Sequence, residues 1–137
     1  MDKNEFKAFC KNEFYKRGYR KIKNMYFLTG NEGVMSSIEL QKSNYGEEYY
    51  VNFYFYIGNV SSSLYPTLYE ADVYGRIIVM SKKQKYKGDY FETGAIEYEE
   101  YTEETLRPYF DKAFDERILP PVYQGKKYIL NLSLIHI

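Results

Sequence analysis

The alternation of hydrophobic and polar positions is strongest in the segment 49–57, which reads YYVNFYFYI. If this segment is a strand, successive side chains point to opposite faces of a sheet. One face then carries a row of apolar side chains: Tyr49, Val51, Phe53, Phe55 and Ile57. The opposite face carries three large rings and one amide: Tyr50, Asn52, Tyr54 and Tyr56. The pattern therefore predicts a strand with an apolar face and a tyrosine-bearing face.

Two segments instead show the 3.6-residue period of an amphipathic helix. Residues 2–17 place Phe6, Phe9, Cys10 and Phe14 on one stripe and are followed by Gly18, a typical end of a helix. The second stripe runs through Leu106, Tyr109, Phe110, Ala113, Phe114 and Ile118. Thr102 or Thr105 could be the N-cap, and Thr105 is favoured because Pro108 is expected in the first turn. Leu119-Pro120-Pro121 is expected to end the helix.

Further strands are predicted where the period is two. They are 19–28, 34–42 and 72–80, with 89–98 as a weak or edge strand pair around Gly94. The connections between these segments are predicted as 29–33 and 44–46, the long loop 58–70, and the polar turn 81–88. Short connections between the early strands favour an antiparallel meander. We therefore expect one α+β domain over residues 1–137, with about five to six strands and both helices packed on one face.

If the strands pair in this order, the tyrosine-bearing face collects polar and aromatic side chains from several strands. They are Glu39, Gln41, Tyr50, Asn52, Tyr54, Tyr56, Tyr74 and Arg76. These rings could simply cover a half-exposed sheet, since tyrosine is a good strand former. They could also form a second, minor core under the long loop or the C-terminal segment. The third interpretation is a recognition surface, because tyrosine buries a large area at low entropic cost.

The recognition hypothesis assigns contacts with a protein, peptide or small ligand to eight residues: Gln41, Lys42, Tyr50, Asn52, Tyr54, Tyr56, Tyr74 and Arg76. The alternative is single-stranded nucleic acid on the same face, with phosphate contacts from the lysine-rich run 82–87. Lys+Arg and Asp+Glu balance at 19 each, so no net charge favours nucleic acid or an anionic membrane. The order of strands and helices also differs from that of the common RNA-recognition sheet.

The charges are nevertheless uneven along the chain. Residues 1–23 hold eight basic and three acidic side chains, and residues 92–104 hold six glutamates and no base. Both segments are expected to be solvated faces. The chain also has 18 Tyr, 9 Phe and no Trp.

Little in the sequence favours catalysis. Cys10 is the one cysteine and lies on a helical apolar stripe, where a small core residue is expected. His136 is the one histidine and is near the C-terminus, a poor place for an ordered catalytic imidazole. Glu39 opposite Arg76 is expected to form an ion pair. We therefore expect a non-enzymatic domain without metal or cofactor.

No apolar run reaches the length of a membrane-spanning helix, and the first residues do not resemble a signal peptide, so a cytoplasmic location is expected. The apolar segment 128–137 (YILNLSLIHI) is expected to be a final strand or an exposed edge through which a homodimer forms.

Several short motifs together resemble a known family. They are Arg17-Gly18-Tyr19-Arg20-Lys21, Ile38-Glu39-Leu40-Gln41-Lys42-Ser43, Tyr45-Gly46 and Tyr74-Gly75-Arg76-Ile77. In this layout, which covers most of residues 3–118, the chain resembles a bacterial family catalogued as domain of unknown function 4304. The resemblance implies a compact α+β domain of bacterial, cytoplasmic type. It implies no reaction, cofactor or catalytic residue.

Overall fold

The computed structural model describes residues 1–30, 33–58, 66–67, 70–125 and 127–128. The helices are α1 (Lys3–Tyr15), α2 (Glu103–Ala113) and α3 (Leu119–Gln124). The strands are β1 (Arg20–Ile22), β2 (Met25–Thr29), β3 (Val34–Lys42), β4 (Tyr49–Ile57), β5 (Val73–Arg76), β6 (Val79–Tyr86), β7 (Asp89–Thr93) and β8 (Ala95–Ile96). A 3-10 turn, Tyr98–Glu100, precedes α2, and a π-helical segment, Phe114–Ile118, joins α2 to α3.

The strands form an antiparallel sheet in which β1 to β5 are neighbours in chain order. The sixth strand, β8, pairs with the start of β4, so Tyr49 lies opposite Ile96. Strands β6 and β7 form a separate two-stranded hairpin. The predicted α+β class and the antiparallel meander are therefore confirmed.

The helices lie on the apolar face of the sheet. Phe6, Phe9 and Phe14 of α1 belong to one buried cluster that also contains the apolar side chains of β4 and of α2. The ring of Phe14 lies 4.9 Å from that of Tyr26 on β2, measured between centroids. The sequence prediction of two helices on one face is confirmed, because the helical stripes and the alternate strand positions bury one another.

Helix α1 begins and ends where the sequence predicts. The backbone N–H of Glu5 donates to Oδ1 of Asp2 at 2.8 Å, and Oε1 of Glu5 accepts from the backbone N–H of Asp2 at 3.1 Å. This reciprocal capping satisfies two donors that a helix start would otherwise leave without partners. Gly18 ends the helical turn with φ +97°, a conformation that glycine adopts without strain.

Cys10 lies in the core with no exposed surface. Burial raises the pKa of its thiol well above the usual range, so little of the nucleophilic thiolate exists at neutral pH. We expect a thiol reagent such as DTNB to react with Cys10 at least about 100-fold more slowly in the native protein than in denaturant. Absorbance at pH 8 measures both rates, and similar rates would contradict the placement of this side chain in the core.

The start of α2 corrects one prediction. Thr102, not Thr105, is the N-cap: its Oγ1 accepts from the backbone N–H of Thr105 at 3.2 Å. Pro108 consequently lies in the second turn, where it removes the backbone bond to the carbonyl of Glu104. Glu104 and Pro108 are both exposed, so water can reach the carbonyl that the proline leaves without a partner.

The predicted end at Leu119-Pro120-Pro121 is also wrong. The chain continues through the π-helical segment Phe114–Ile118 into α3, where both prolines occupy the first turn. Proline is tolerated there because the first N–H groups of a helix have no intrahelical partner.

Three strand predictions need correction. The segment 19–28 is divided by a two-residue turn in which Lys23 has φ +57°. The segment 72–80 is divided between β5 and β6, and the predicted polar turn 81–88 instead continues β6 to Tyr86. The segment 89–98 forms β7 and β8, which do not pair with each other: β7 pairs with β6 and β8 with β4. Residues 82–90 are exposed on both faces of the hairpin, so no hydrophobic alternation marks them as strands.

Two predictions fall mostly outside the described residues. Residues 129–137 of the apolar C-terminal segment and residues 59–65 and 68–69 of the long loop are not described. A final strand or a homodimer edge at 128–137 therefore stays a prediction.

Candidate binding site on the tyrosine-bearing face

The candidate site is built across β3, β4 and β5, on the face away from the helices. In the register of the sheet, Glu39 lies opposite Asn52, and Asn52 lies opposite Arg76. One pair further along, Tyr54 lies opposite Tyr74. Alternation therefore brings these five side chains to one face, as the sequence predicts.

Asn52 holds the polar part of this site together and is only 6% exposed. Its Nδ2 donates to Oε1 of Glu39 at 2.9 Å and to Oε1 of Gln41 at 2.8 Å. Its Oδ1 accepts from Nε of Arg76 at 2.8 Å. All three neighbours thus depend on one amide for their positions.

The expected ion pair between Glu39 and Arg76 is not formed. Both residues lie opposite Asn52, on strands at either side of β4, so about 9–10 Å of sheet separates their backbones. The amide of Asn52 occupies the space between them and bonds to both. The correction follows from the strand order, in which β4 and not β3 is the neighbour of β5.

Arg76 is held in a defined orientation. Its Cζ lies 4.2 Å from the centroid of the Tyr50 ring, while Nε is bonded to Asn52. The guanidinium stacks on the Tyr50 ring and donates through Nε, and neither contact uses its two terminal amino groups. In the described part of the chain, no carboxylate lies within ion-pair distance of Arg76.

Tyr54 and Tyr74 form the aromatic part of the site. Their ring centroids are 6.4 Å apart, and the rings are inclined by 35°. The hydroxyl of Tyr54 donates to Oε1 of Glu39 at 3.1 Å, and burial together with the Glu39 charge raises the pKa of Tyr54 to about 12. Tyr74 is 77% exposed. Tyr54 therefore stays a protonated donor at neutral pH, and Tyr74 presents its ring to solvent.

These residues surround an open groove of about 590 Å³. It is lined by Gln41, Asn52, Tyr54, Tyr74, Gly75 and Arg76; we refer to it as the Tyr74 groove. It offers an exposed ring, hydrogen-bonding amides and one guanidinium, which suits non-covalent recognition. Among the described residues, no cluster of His, Cys, Asp and Glu could hold a metal ion.

A comparison with protein families identifies the chain. The family model described as Domain of unknown function (DUF4304) matches residues 10–120. The chain belongs to the DUF4304 family. No curated protein and no solved structure matches it. The match covers every residue that lines the Tyr74 groove.

Tyr56 lies on the tyrosine-bearing face of this DUF4304 domain, as the Tyr74 groove does, but it is only 1% exposed. Its hydroxyl shares a 2.8 Å hydrogen bond with Oγ of Ser37, and burial raises its pKa. Phe27, on the same side of β2, is also buried. The tyrosine-bearing face is thus divided: the end with Tyr56 is a buried minor core, and the end with Tyr74 is open. The apolar Phe27 on this face is the signal in the sequence that could have indicated the division.

Lys42, like Tyr50 and Tyr56, is a predicted site residue that does not line the groove of this DUF4304 domain. It shares the helix-side face of β3 with Ile38 and Leu40, by alternation. Its Nζ donates to the carbonyl of Gly46 at 2.6 Å and lies 5.6 Å from the ring centroid of Tyr49. Among the described residues that line the groove, Arg76 is therefore the one with a basic side chain.

No helix within the described ranges is long and apolar enough to cross a membrane.

Proposed function

We propose that this DUF4304 chain is a non-enzymatic binding domain of the bacterial cytoplasm that takes a protein or peptide partner in the Tyr74 groove. The observation that carries the proposal is Arg76, oriented by Asn52 and Tyr50 and without a carboxylate partner in the described part of the chain. The cytoplasmic location is supported by the single cysteine, which leaves no intrachain disulfide framework.

The groove offers the residue types that contribute most to protein interfaces, tyrosine and arginine. Arg76 is already ordered by two contacts, so less side-chain entropy is lost when a partner binds. Its terminal amino groups match the geometry of a carboxylate. The exposed ring of Tyr74 gains most from being covered by an apolar side chain. We therefore expect a partner segment with an acidic side chain next to an aromatic or aliphatic one.

The proposal is tested by selecting a displayed library of random peptides against the full chain. We expect the enriched peptides to contain an acidic residue beside an apolar one. In fluorescence anisotropy, Tyr74→Ala and Arg76→Ala should each weaken their binding by about tenfold or more. Tyr86→Ala is the matched control, because Tyr86 is also a largely exposed tyrosine, 68% exposed, but lies on β6 away from the groove.

The control should bind as tightly as the unaltered chain. The proposal fails if no peptide is enriched, or if the enriched peptides are as sensitive to Tyr86→Ala as to Tyr74→Ala. Thermal unfolding of each variant shows whether a loss of binding reflects a loss of folding.

Single-stranded nucleic acid is the alternative occupant, and a salt titration distinguishes it. Each phosphate contact makes the affinity fall with salt, by a slope of about 0.7 per contact on logarithmic axes for single strands. A peptide that makes one ionic contact, at Arg76, should respond weakly. Tight binding of labelled oligothymidine that is lost in Tyr74→Ala and falls steeply with salt would replace the peptide proposal.

A further inference from the structure

A second depression lies on the helix side of the sheet, where Lys42 is placed. It has a volume of about 360 Å³, and lysines from three separate elements line it: Lys7 of α1, Lys21 of β1 and Lys42 of β3. Asn24, Tyr26, Leu40 and Tyr49 also line it. We refer to these seven residues as the lysine pocket.

The three ammonium groups lie beside two buried tyrosine rings, while the lysine residues themselves are exposed to solvent. The Nζ atoms of Lys7 and Lys42 lie 5.7 Å and 5.6 Å from the ring centroid of Tyr49. The Nζ of Lys21 lies 5.9 Å from the ring centroid of Tyr26. Both rings are 4% exposed and belong to the core cluster. The rings attract the cations electrostatically, and a rigid core fixes the rings.

The positive charge of the pocket is only partly balanced. Among the described residues, the one carboxylate within 4.0 Å of these ammonium groups is Glu47, whose Oε2 lies 3.7 Å from Nζ of Lys42. The hydroxyl of Tyr98 donates to the same carboxylate, and this bond and Lys42 hold the pKa of Glu47 below its usual range. Lys7 and Lys21 have no ion-pair partner in the described ranges.

The surroundings add to the positive charge. Lys3 and Lys11 flank Lys7 at a spacing of four residues, so the three lysines form one row along α1. Like charges at this spacing destabilise a helix. The basic excess of residues 1–23 is thus partly concentrated at this pocket. A bound anion would reduce the repulsion between the lysine ammonium groups.

We propose that the lysine pocket binds a small molecule that carries phosphate groups. Lysine is a compact charge with three donors and binds phosphate oxygens from several directions. Three lysines and one glutamate leave a surplus of two positive charges, which a phosphate dianion would neutralise. The volume is within the range of about 300–1,000 Å³ that small-molecule sites occupy, so the pocket has room for more than one phosphate group. The amide of Asn24 supplies a neutral hydrogen-bonding group for the rest of the ligand.

The test is isothermal titration calorimetry of the full chain with inorganic pyrophosphate, at an ionic strength of about 0.01 M, where charges are weakly screened. We expect saturable binding at one site. The triple variant Lys7→Gln, Lys21→Gln, Lys42→Gln should weaken it by about tenfold or more. The matched control is Lys82→Gln, Lys83→Gln, Lys85→Gln, which removes the same net charge from the β6–β7 hairpin and should leave the affinity within about twofold.

Two further arms identify the source of the phosphate. ADP carries the same diphosphate on a nucleoside, so tighter binding of ADP than of pyrophosphate to the unaltered chain supports a nucleotide-type ligand. Equal affinity supports recognition of the phosphates alone. A saturable rise in melting temperature with pyrophosphate, lost in the pocket variant and kept in the hairpin control, gives a second readout.

Three results would overturn the proposal: no saturable binding of pyrophosphate, equal weakening in the pocket and hairpin variants, or an affinity that the pocket variant leaves unchanged. Because the pocket and the Tyr74 groove lie on opposite faces of the sheet and share no residue, either proposal can fail without the other.

Discussion

Replacing Phe14 with alanine should lower the free energy of unfolding by about 3–5 kcal/mol. The Phe14 ring has no exposed surface and lies among the rings of Tyr26, Phe110 and Phe114, at centroid distances of 4.9, 6.2 and 6.0 Å. Its removal leaves a cavity where α1, α2 and the sheet meet, because neighbouring rings relax only partly into the space. Urea denaturation followed by circular dichroism measures the loss.

Two variants make this result interpretable. Phe14→Leu keeps most of the apolar contact and should lower the free energy of unfolding by about 1–2 kcal/mol. This variant therefore still reports whether position 14 is buried, even if Phe14→Ala does not fold. Tyr86→Ala, an exposed ring on the hairpin, should change the stability by no more than about 0.5 kcal/mol. A Phe14→Ala variant as stable as Tyr86→Ala would contradict the packing of α1 against α2 and the sheet.

Replacing Gly30 with alanine should destabilise the protein by about 1–3 kcal/mol, because a side chain there overpacks the contact with α3. A Cβ atom at Gly30 would lie 2.3 Å from the carbonyl oxygen of Val122 and 2.4 Å from its Cγ1. Contact with a backbone atom cannot be relieved by a change of rotamer, so α3 or the β2–β3 hairpin must shift. Thermal and urea unfolding measure the cost.

Gly46→Ala is the matched control for this prediction. A Cβ atom at Gly46 meets nothing within 4 Å, and the residue is exposed in the turn before β4. The same substitution there should change stability by no more than about 0.5 kcal/mol. Equal effects at the two glycines would show that α3 does not pack closely against the hairpin.

The two proposed sites use the two faces of the sheet for different chemistry. The Tyr74 groove combines a ring with one guanidinium, whereas the lysine pocket combines three ammonium groups with two buried rings. A partner segment in the groove and a phosphate compound in the pocket could bind at the same time. A chain that binds both would show either independent affinities or a reciprocal coupling between them.

The groove could be predicted only in part from the sequence. Alternation along β4 correctly places Tyr50, Asn52 and Tyr54 on one face, because the side-chain period of a strand is two. The same alternation places Tyr56 there, yet Tyr56 is buried and Tyr74 is exposed. Burial depends on what lies above a residue, and the period of a strand carries no information about that.

The errors in secondary structure have a similar origin. The β6–β7 hairpin is exposed on both faces, so its lysines look like a polar turn. The prolines at 120 and 121 read as a helix end, although they begin α3 after a π-helical segment. In both places the pattern of hydrophobic and polar residues is ambiguous. The hairpin is held by backbone pairing across its own turn at Lys87-Gly88, whereas α3 packs against Gly30, which is distant in the sequence.

The order of hydrophobic and polar residues by itself determined the α+β class, the antiparallel sheet and the face on which the helices pack. Those features follow from periods of 3.6 and 2, which are properties of the chain alone. Only the tertiary structure decided that Asn52 stands between Glu39 and Arg76, and that Lys42 joins Lys7 and Lys21 instead of the groove. These arrangements depend on strand order and on which helix covers which edge of the sheet. They bring together residues that are far apart in the sequence, so the local pattern of hydrophobic and polar residues does not determine them.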